Sequence, residues 1–527
     1  MTWTNQSINR RVGVATLIVS GGVLLSRILG QVREVIFANL LGASGITDQY
    51  VAAFRIPDFL NYLLAGGFLS ITFIPIFAGY LATDDEEGGW RALTAIFRPV
   101  VIGMSALVVI GWVIAPAVIA ALYPDFTTDQ LEATTRLTRI VLPAQVFFVA
   151  GALFSAVQYA KGHFVVPTAA PVVYNVCIIL GGIADAALTD TPGPEGFIWG
   201  ALVGAIAGNF AIQWWGAARV GMRWKFETPW ADPVIAEYFK IALPLMIGQS
   251  IVVLDETFMS VFGNRVGEAT QTQLQFARRT MLVPVGAVAQ AAAVAAYPFL
   301  ARLFASGKRT QMGRTVDKSL TYVVVLSIGA TAALAALSQP TIRVLFQHGA
   351  FEPSDTIAAA SALFFYAFAV PLWGSLQILT RAFYAKRDMW TPVVIGSAAT
   401  LVAIPIYFAL QDTYGLEGVA LASVVSLSVY TATLIFVWYR DPANEGRLTT
   451  VTESALRAVP LAAIGGFAAW GAATVIGNAL GTSWLAALVQ LIIATGVFVG
   501  SIFALGGLMY AWFGRAGVSG DIDIGVE

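Results

Sequence analysis

Arg27, Arg33, Asp48 and Arg55 stand inside two apolar stretches joined by a short Gly/Ser turn, in SRILGQVREVIFANLLGASGITDQYVAAFRIPDFLNYLLAGGFLSITFIPIFAGY (26–80). Asp255 and Glu256 are neighbours in a third apolar run, GQSIVVLDETFMSVF, and Arg278 and Arg279 in a fourth. An arginine at the centre of an inserting helix costs about 2.5–3.5 kcal/mol, so a chain that keeps several of them has a polar interior and a charged substrate to hold there. Arg27 and Arg33 are six residues apart, about 120° off a common line on a helix, so both reach one ligand only if the helix bends, and Gly30 between them permits that. Arg33 can instead pair with its neighbour Glu34 or extend to an interface. Asp48, just after the turn, fits either a cap of the second helix or a gating salt bridge. Asp255 and Glu256 raise a cation or proton site, or a charge pair with an interior arginine. Adjacent helical residues point about 100° apart and do not both face one ion.

These residues must be carried by membrane helices. Of the 527 residues, 57% are hydrophobic and 12% charged, and the mean hydropathy is +0.75, the composition of an all-α polytopic membrane protein. Fourteen apolar segments are expected to span, near 12–40, 47–80, 92–121, 133–160, 164–187, 195–218, 234–262, 270–303, 316–338, 355–384, 390–410, 416–439, 454–478 and 484–513. Each is long enough to cross about 30 Å of hydrocarbon at 1.5 Å per residue. No alternation of the barrel-strand kind occurs. With the N-terminus inside, nineteen Lys and Arg fall in cytoplasmic loops and two, Arg265 and Arg343, outside, which predicts both termini in the cytoplasm. The first apolar run lacks a small-residue cleavage site, so the first helix is expected to be its own insertion signal.

The chain repeats itself. Arg55 precedes Pro75 by twenty positions, and Arg278 precedes Pro298 by the same twenty. YPDF at 123–126 matches HGAF at 348–351, and Tyr159-Ala160-Lys161 with Pro167 matches Tyr384-Ala385-Lys386 with Pro392. The offsets are all 223–225 residues. Six helices per repeat is an even number, so both copies insert in the same sense about an axis along the membrane normal. The expected organisation is an N-lobe over 1–220 (helices 1–6), a C-lobe over 221–445 (helices 7–12), an appended pair over 446–513 and a cytoplasmic tail over 514–527, with a central cavity between the lobes.

SRILGQVRE, GASGITDQYVAAFRIPDFL, PTAAPVVYNV at 167–176, VLFQHGAF at 344–351 and YAKRDMWTP at 384–392 together resemble the MurJ/MviN family, bacterial lipid II flippases of the multidrug/oligosaccharidyl-lipid/polysaccharide exporter superfamily. The resemblance implies translocation of undecaprenyl-pyrophosphate-linked peptidoglycan precursor from the inner to the outer leaflet of the bacterial cytoplasmic membrane by alternating access. It further implies a cationic cavity for the pyrophosphate and sugar, and a groove near the last two helices for the lipid tail. Arg27, Arg33 and Arg279 match arginines that the family uses in its cavity, and Asp48 matches its acid at the start of helix 2; Arg55 and its repeat counterpart Arg278 complete the expected substrate-binding set. Guanidinium groups suit a pyrophosphate because they bind it through paired hydrogen bonds and stay charged. This chain departs from the family at Asn61, commonly Arg, at Gly66, commonly an acid, and at Arg278, commonly Asp. Some members carry a sodium site on helices 7 and 11. Helix 11 here offers Ser397, Thr400 and Tyr407 without a carboxylate or amide, so that site is not carried over.

Other chemistry is disfavoured. His163 and His348 fall on opposite sides of the membrane, Cys177 is the only cysteine, and no GxxxxGK[ST] loop occurs, so neither a metal site nor ATP hydrolysis by this chain is expected. No cofactor is implied; membrane potential, Na+ or H+ is the expected drive. The expected partners are a polyprenyl-linked glycan lipid and membrane lipids, with no nucleic acid and a monomeric state. The alternatives are a flippase for another polyprenyl-linked oligosaccharide and, below it, a multidrug exporter or a membrane glycosyltransferase. Arginines in the cavity repel cationic drugs, and Asp48 lacks the second acid that sugar transfer calls for.

Overall fold

The computed structural model describes residues 5–61, 68–444 and 446–515. Gly66 and the tail beyond 515 lie outside the described residues. In chain order the helices are α1 (Asn5–Leu41), α2 (Gly45–Ala53), α3 (Arg55–Leu60), α4 (Phe68–Ala82), α5 (Glu86–Leu122), α6 (Thr128–Val141), α7 (Ala144–Ala160), α8 (Val165–Leu188), α9 (Glu195–Gly204), α10 (Ile212–Arg219), α11 (Pro233–Val266), α12 (Thr270–Pro284), α13 (Ala291–Ala305), α14 (Arg309–Ala336), α15 (Ser338–Phe346), α16 (Pro353–Ala367), α17 (Ala369–Ala385), α18 (Trp390–Arg440), α19 (Leu448–Leu480) and α20 (Trp484–Arg515). No strand occurs among the described residues, and the protein is an all-α polytopic membrane protein. Helices lie over each of the expected segments. Among the described residues, eight are long and apolar enough to cross a membrane, and nine if α16 and α17, bent by 45°, form one span.

Helix starts follow from local chemistry. The Asp85 side chain accepts from Gly88 N at 2.8 Å ahead of α5. Thr127 and Gln130 form a reciprocal capping box ahead of α6, and Asp232 caps α11 with Pro233 in its first turn. These groups satisfy amide hydrogens that a helix start leaves without partners. Within α18 the backbone at Gly415 turns to φ 57°, ψ −129°, a conformation open to glycine and costly for other residues; it separates two helical runs.

Prolines account for the main departures from single long helices. The segment expected as one helix at 47–80 is divided at Phe54 into α2 and α3. Pro57 has no N–H for the carbonyl of Ala53, four residues earlier. That carbonyl is buried, and the Thr138 hydroxyl donates to it at 3.1 Å. The same arrangement recurs where α16 bends into α17: Pro371 leaves the Ala367 carbonyl without its helical donor, and the Thr331 hydroxyl supplies one at 2.9 Å. In hydrocarbon a freed carbonyl must find such a partner.

The chain divides into two compact units. The first comprises residues 1–275, 348–352 and 389–415. Its core packs Phe73, Phe77, Trp90, Ile96, Met104, Leu142, Leu153 and Tyr238, all buried. The second comprises 276–347, 353–388 and 416–527; a smaller apolar cluster there joins Leu337, Ala469, Ala473, Ala494 and Phe498.

Candidate functional site

The first unit brings Asp48 to the start of α12. Asp48 is 1% exposed, and its Oδ1 accepts from Thr272 N at 3.0 Å and from Thr272 Oγ1 at 2.6 Å. Gln271 Nε2 donates to the Asp48 carbonyl at 2.7 Å, and Gly45 N to Glu268 Oε1 at 3.1 Å. Asp48 therefore caps α12, while the start of its own helix is served by Ser44 and Thr47, whose hydroxyl accepts from Ser44 N at 2.8 Å. A carboxylate receiving two donors at a helix N-terminus is favoured both by charge-assisted bonding and by the helix dipole. These partners are separated by 223 or 224 positions, the offset of the sequence repeat. The contact thus joins counterpart residues of the two repeats.

Two further contacts extend this layer. Ser260 pairs with Gln271 and, at 2.6 Å, with the Tyr123 hydroxyl. On the other side, Ala350 N donates to the Asn39 carbonyl at 2.9 Å. Gly42 (φ 65°) and Gly349 (φ 57°) sit at this contact, where an added Cβ would lie 2.4 Å from the Ala350 carbonyl oxygen and 2.2 Å from that of Asn39. Only glycine allows so close an approach. Both loop motifs that revealed the repeat, 123–126 and 348–351, therefore close onto helix ends in the first unit.

Deeper in the first unit lies a group of charges on α3 and α11. Arg55 is 7% exposed; its Nη2 is 3.2 Å from Asp58, its Nη1 3.9 Å from Glu256, and its Nε donates to the Val51 carbonyl at 3.2 Å. Asp255 points elsewhere and accepts from Tyr407 of α18 at 3.1 Å. The adjacent carboxylates take different partners, as the helical rotation between them requires. Arg33 bonds Glu34 at 2.7 Å. Arg27 is exposed on α1, and in the second unit Arg278 is buried and Arg279 half-buried on α12. No group of three or more His, Cys, Asp or Glu fit to hold a metal occurs among the described residues.

Sequence reasoning missed Asp58, Thr272 and Gln271. Asp58 stands three residues after Arg55, a helical pairing distance that was legible. Thr272 stands one repeat offset from Asp48, a signal present in the repeat itself. The pairing of helices 7 and 11 was in view, with Tyr407 named on helix 11 beside Ser397 and Thr400, but nothing in the spacing singled out Tyr407 as the partner of Asp255.

The second unit holds a cavity of about 1070 Å³ along α14, α16 and α19. Ala332, Phe364, Phe368, Phe467 and Trp470 line it, and Arg343 stands in its wall. Its surface suits a hydrocarbon chain.

The family model described as lipid II flippase MurJ matches residues 37–505. A protein of Vibrio cholerae serotype O1 named "Probable lipid II flippase MurJ" is 27% identical over 437 residues, 81% of this chain and 83% of that one. The "Lipid II flippase MurJ" of Burkholderia cenocepacia is 27% identical over 421 residues, 77% of this chain and 80% of its own. Among solved structures, "Lipid II flippase MurJ, inward closed conformation" superposes with a TM-score of 0.74 at 21% identity, covering 94% of this chain and 99% of that chain. At that identity the likeness is one of fold.

Proposed function

Because the chain belongs to the lipid II flippase MurJ family, we propose that it is a transporter, not an enzyme, and moves lipid II from the inner to the outer leaflet of the bacterial cytoplasmic membrane. The match of the family model over residues 37–505 carries this reading. The chemistry is compatible with it: arginines and carboxylates in apolar helices equip an interior for a charged headgroup, and an apolar cavity of about 1070 Å³ suits a polyprenyl tail.

Transport proceeds by alternating access through two six-helix lobes and an appended pair, fourteen crossings in all, with both termini cytoplasmic. Arg27, Arg33, Arg278 and Arg279 serve as anion ligands for the pyrophosphate, by charge and by family position. Asp48 is the outer gate. Its bonds to Thr272 join counterpart positions of the repeat, so breaking them separates the same point of both halves at once. Asp255 with Tyr407 is a charge-holding pair on α11 and α18.

The test is replacement of the lipid II flippase in a depletion strain by this chain. Restored growth and outer-leaflet lipid II are expected; failure of an inserted, expressed protein to restore either would overturn the reading. Asn61 and Arg278, where the family commonly has Arg and Asp, favour one second reading, a flippase for another polyprenyl-linked glycan. That reading is favoured if vesicles containing the protein translocate such a lipid and leave lipid II in place.

A further inference from the structure

The cavity of the second unit is apolar along most of its length and polar at one end. Phe364, Phe368, Val459, Ala463 and Phe467 line its deep part. The hydroxyls there are already committed: Thr331 donates to the Ala367 carbonyl at 2.9 Å and Ser361 to that of Ala358 at 3.0 Å. Ser338, Gln339, Arg343, Asn478 and Thr482 line the other end, where α14 and α19 finish and α15 runs. Such a division suits an amphiphile with its chain inside and its headgroup at the mouth.

Among the lining residues Arg343 alone is charged, and no Asp or Glu stands in the wall. Its Nε donates to Gln347 Oε1 at 3.1 Å, an oxygen that also accepts from the Thr356 hydroxyl at 2.9 Å. One edge of the guanidinium is thereby anchored. Burial pulls the pKa of Arg343 down, and no carboxylate acts on it to oppose the shift. One repeat offset back the chain has Val118, so this charge is no part of the helix-end closure that the two repeats share. A half-buried cation at the mouth of an apolar cavity is completed by an anion, and a phosphate matches the paired N–H groups of a guanidinium. The length of the cavity selects the chain. From Val459 to Thr482 its wall on α19 runs 23 positions, about 35 Å at 1.5 Å per residue, against about 30 Å for the whole hydrocarbon core. A diacyl phospholipid fills one leaflet, about half of that core. A polyprenyl chain is long enough to follow the whole wall.

Resting on the flippase reading above, we propose that Arg343 makes this cavity a site for polyprenyl phosphates, binding the phosphate at the mouth while the chain lies along α19. With both termini cytoplasmic, the mouth faces outward. The site then holds the lipid by its phosphate after the headgroup has crossed.

The experiment uses the full chain in lipid nanodiscs and two probes, a polyprenyl phosphate with a photoreactive group near the far end of its chain and the same polyprenol without phosphate; cross-links are mapped by mass spectrometry. The phosphate labels residues around Phe467 at about tenfold lower concentration than the alcohol, the worth of one hydrogen bond to a charged group. Arg343→Gln brings the two probes within about twofold of each other, and Arg343→Lys retains most of the difference. Ala463→Trp narrows the deep part, away from the mouth, and weakens labelling by both. Equal labelling by the two probes in the unsubstituted protein, a phosphate advantage that survives Arg343→Gln, or labelling indifferent to Ala463→Trp would overturn the site. So would displacement of the probe by a diacyl phosphatidic acid as readily as by unlabelled polyprenyl phosphate. Phosphate-dependent labelling of a protein that fails to replace the lipid II flippase in the depletion strain would remove the flippase reading and keep the site, whereas growth restored without such labelling would remove the site alone.

Discussion

Lys161 and Lys386 are counterparts in the repeat, and their surroundings match closely. Lys161 bonds Glu86 at 2.6 Å and the Val220 carbonyl at 2.6 Å, with Trp90 at 5.2 Å from its ammonium. Lys386 bonds Asp441 at 2.8 Å and the Asn444 side chain at 2.7 Å, with Trp438 at 5.5 Å. Val220 and Asn444 are themselves one repeat offset apart. Each lysine ties the turn after one helix to the end of another, using one carboxylate, one neutral oxygen and one ring face. The middles of the repeats are unlike. Arg55 is followed three positions on by Asp58, with which it pairs, whereas its counterpart Arg278, on α12 in the second unit, is followed there by Met281 and directly by a second arginine, Arg279. A clamp whose only task is to close helix ends can be copied. A site that must recognise an asymmetric ligand cannot be the same in both halves.

The largest effect expected is on transport. Arg27→Ala and Arg279→Ala should each abolish headgroup translocation in reconstituted vesicles while the protein still inserts; normal translocation by both variants would end their assignment as anion ligands. Next comes the contact between the repeats. Asp48→Ala removes the buried carboxylate that accepts from Thr272 N and Oγ1 at the start of α12, at about 1.5–3 kcal/mol for a charged hydrogen bond, and should lower translocation at least tenfold. Asp48→Asn keeps one acceptor oxygen and should retain more, so equal activity of the two variants would show that bonding to Thr272 is irrelevant.

The clamps supply a sharper test of likeness. Lys161→Met and Lys386→Met should each cost about 1–2 kcal/mol, chiefly through the Val220 carbonyl and the Asn444 side chain left without a donor, since Glu86 and Asp441 are exposed to water, read as similar falls in melting temperature in detergent. A large difference between the two would break the comparison at the point where it is closest. The smallest effect expected is that of Thr138→Val and Thr331→Val, which leave the Ala53 and Ala367 carbonyls without the donor that each proline made necessary. About 1 kcal/mol or somewhat more is expected from each, measured by the same melting experiment.

Much of this protein could be seen in its residues before its fold. The α-helical membrane class follows from apolar runs of spanning length, because hydrocarbon forces the backbone to satisfy itself within a segment. The repeat showed in Tyr159 and Tyr384 and in Lys161 and Lys386, where equal tasks at equal positions keep equal side chains, and in Arg55 and Arg278, where the residue type is kept although its neighbours differ. The breaks at Pro57 and Pro371 were marked by proline itself, although Thr138 and Thr331, which make those breaks tolerable, come from other helices and carry no local mark.

The sequence by itself determined which side chains are charged, which helices carry them and where the chain repeats, for these depend on composition and spacing along one dimension. Only the tertiary structure decided that Asp48 would cap α12, that Glu256 would stand beside Arg55, and that Asp255 would turn to Tyr407. Such choices depend on which helix faces meet across 150 or more positions of chain. The energy of a charge in a membrane is set by the neighbour it meets there.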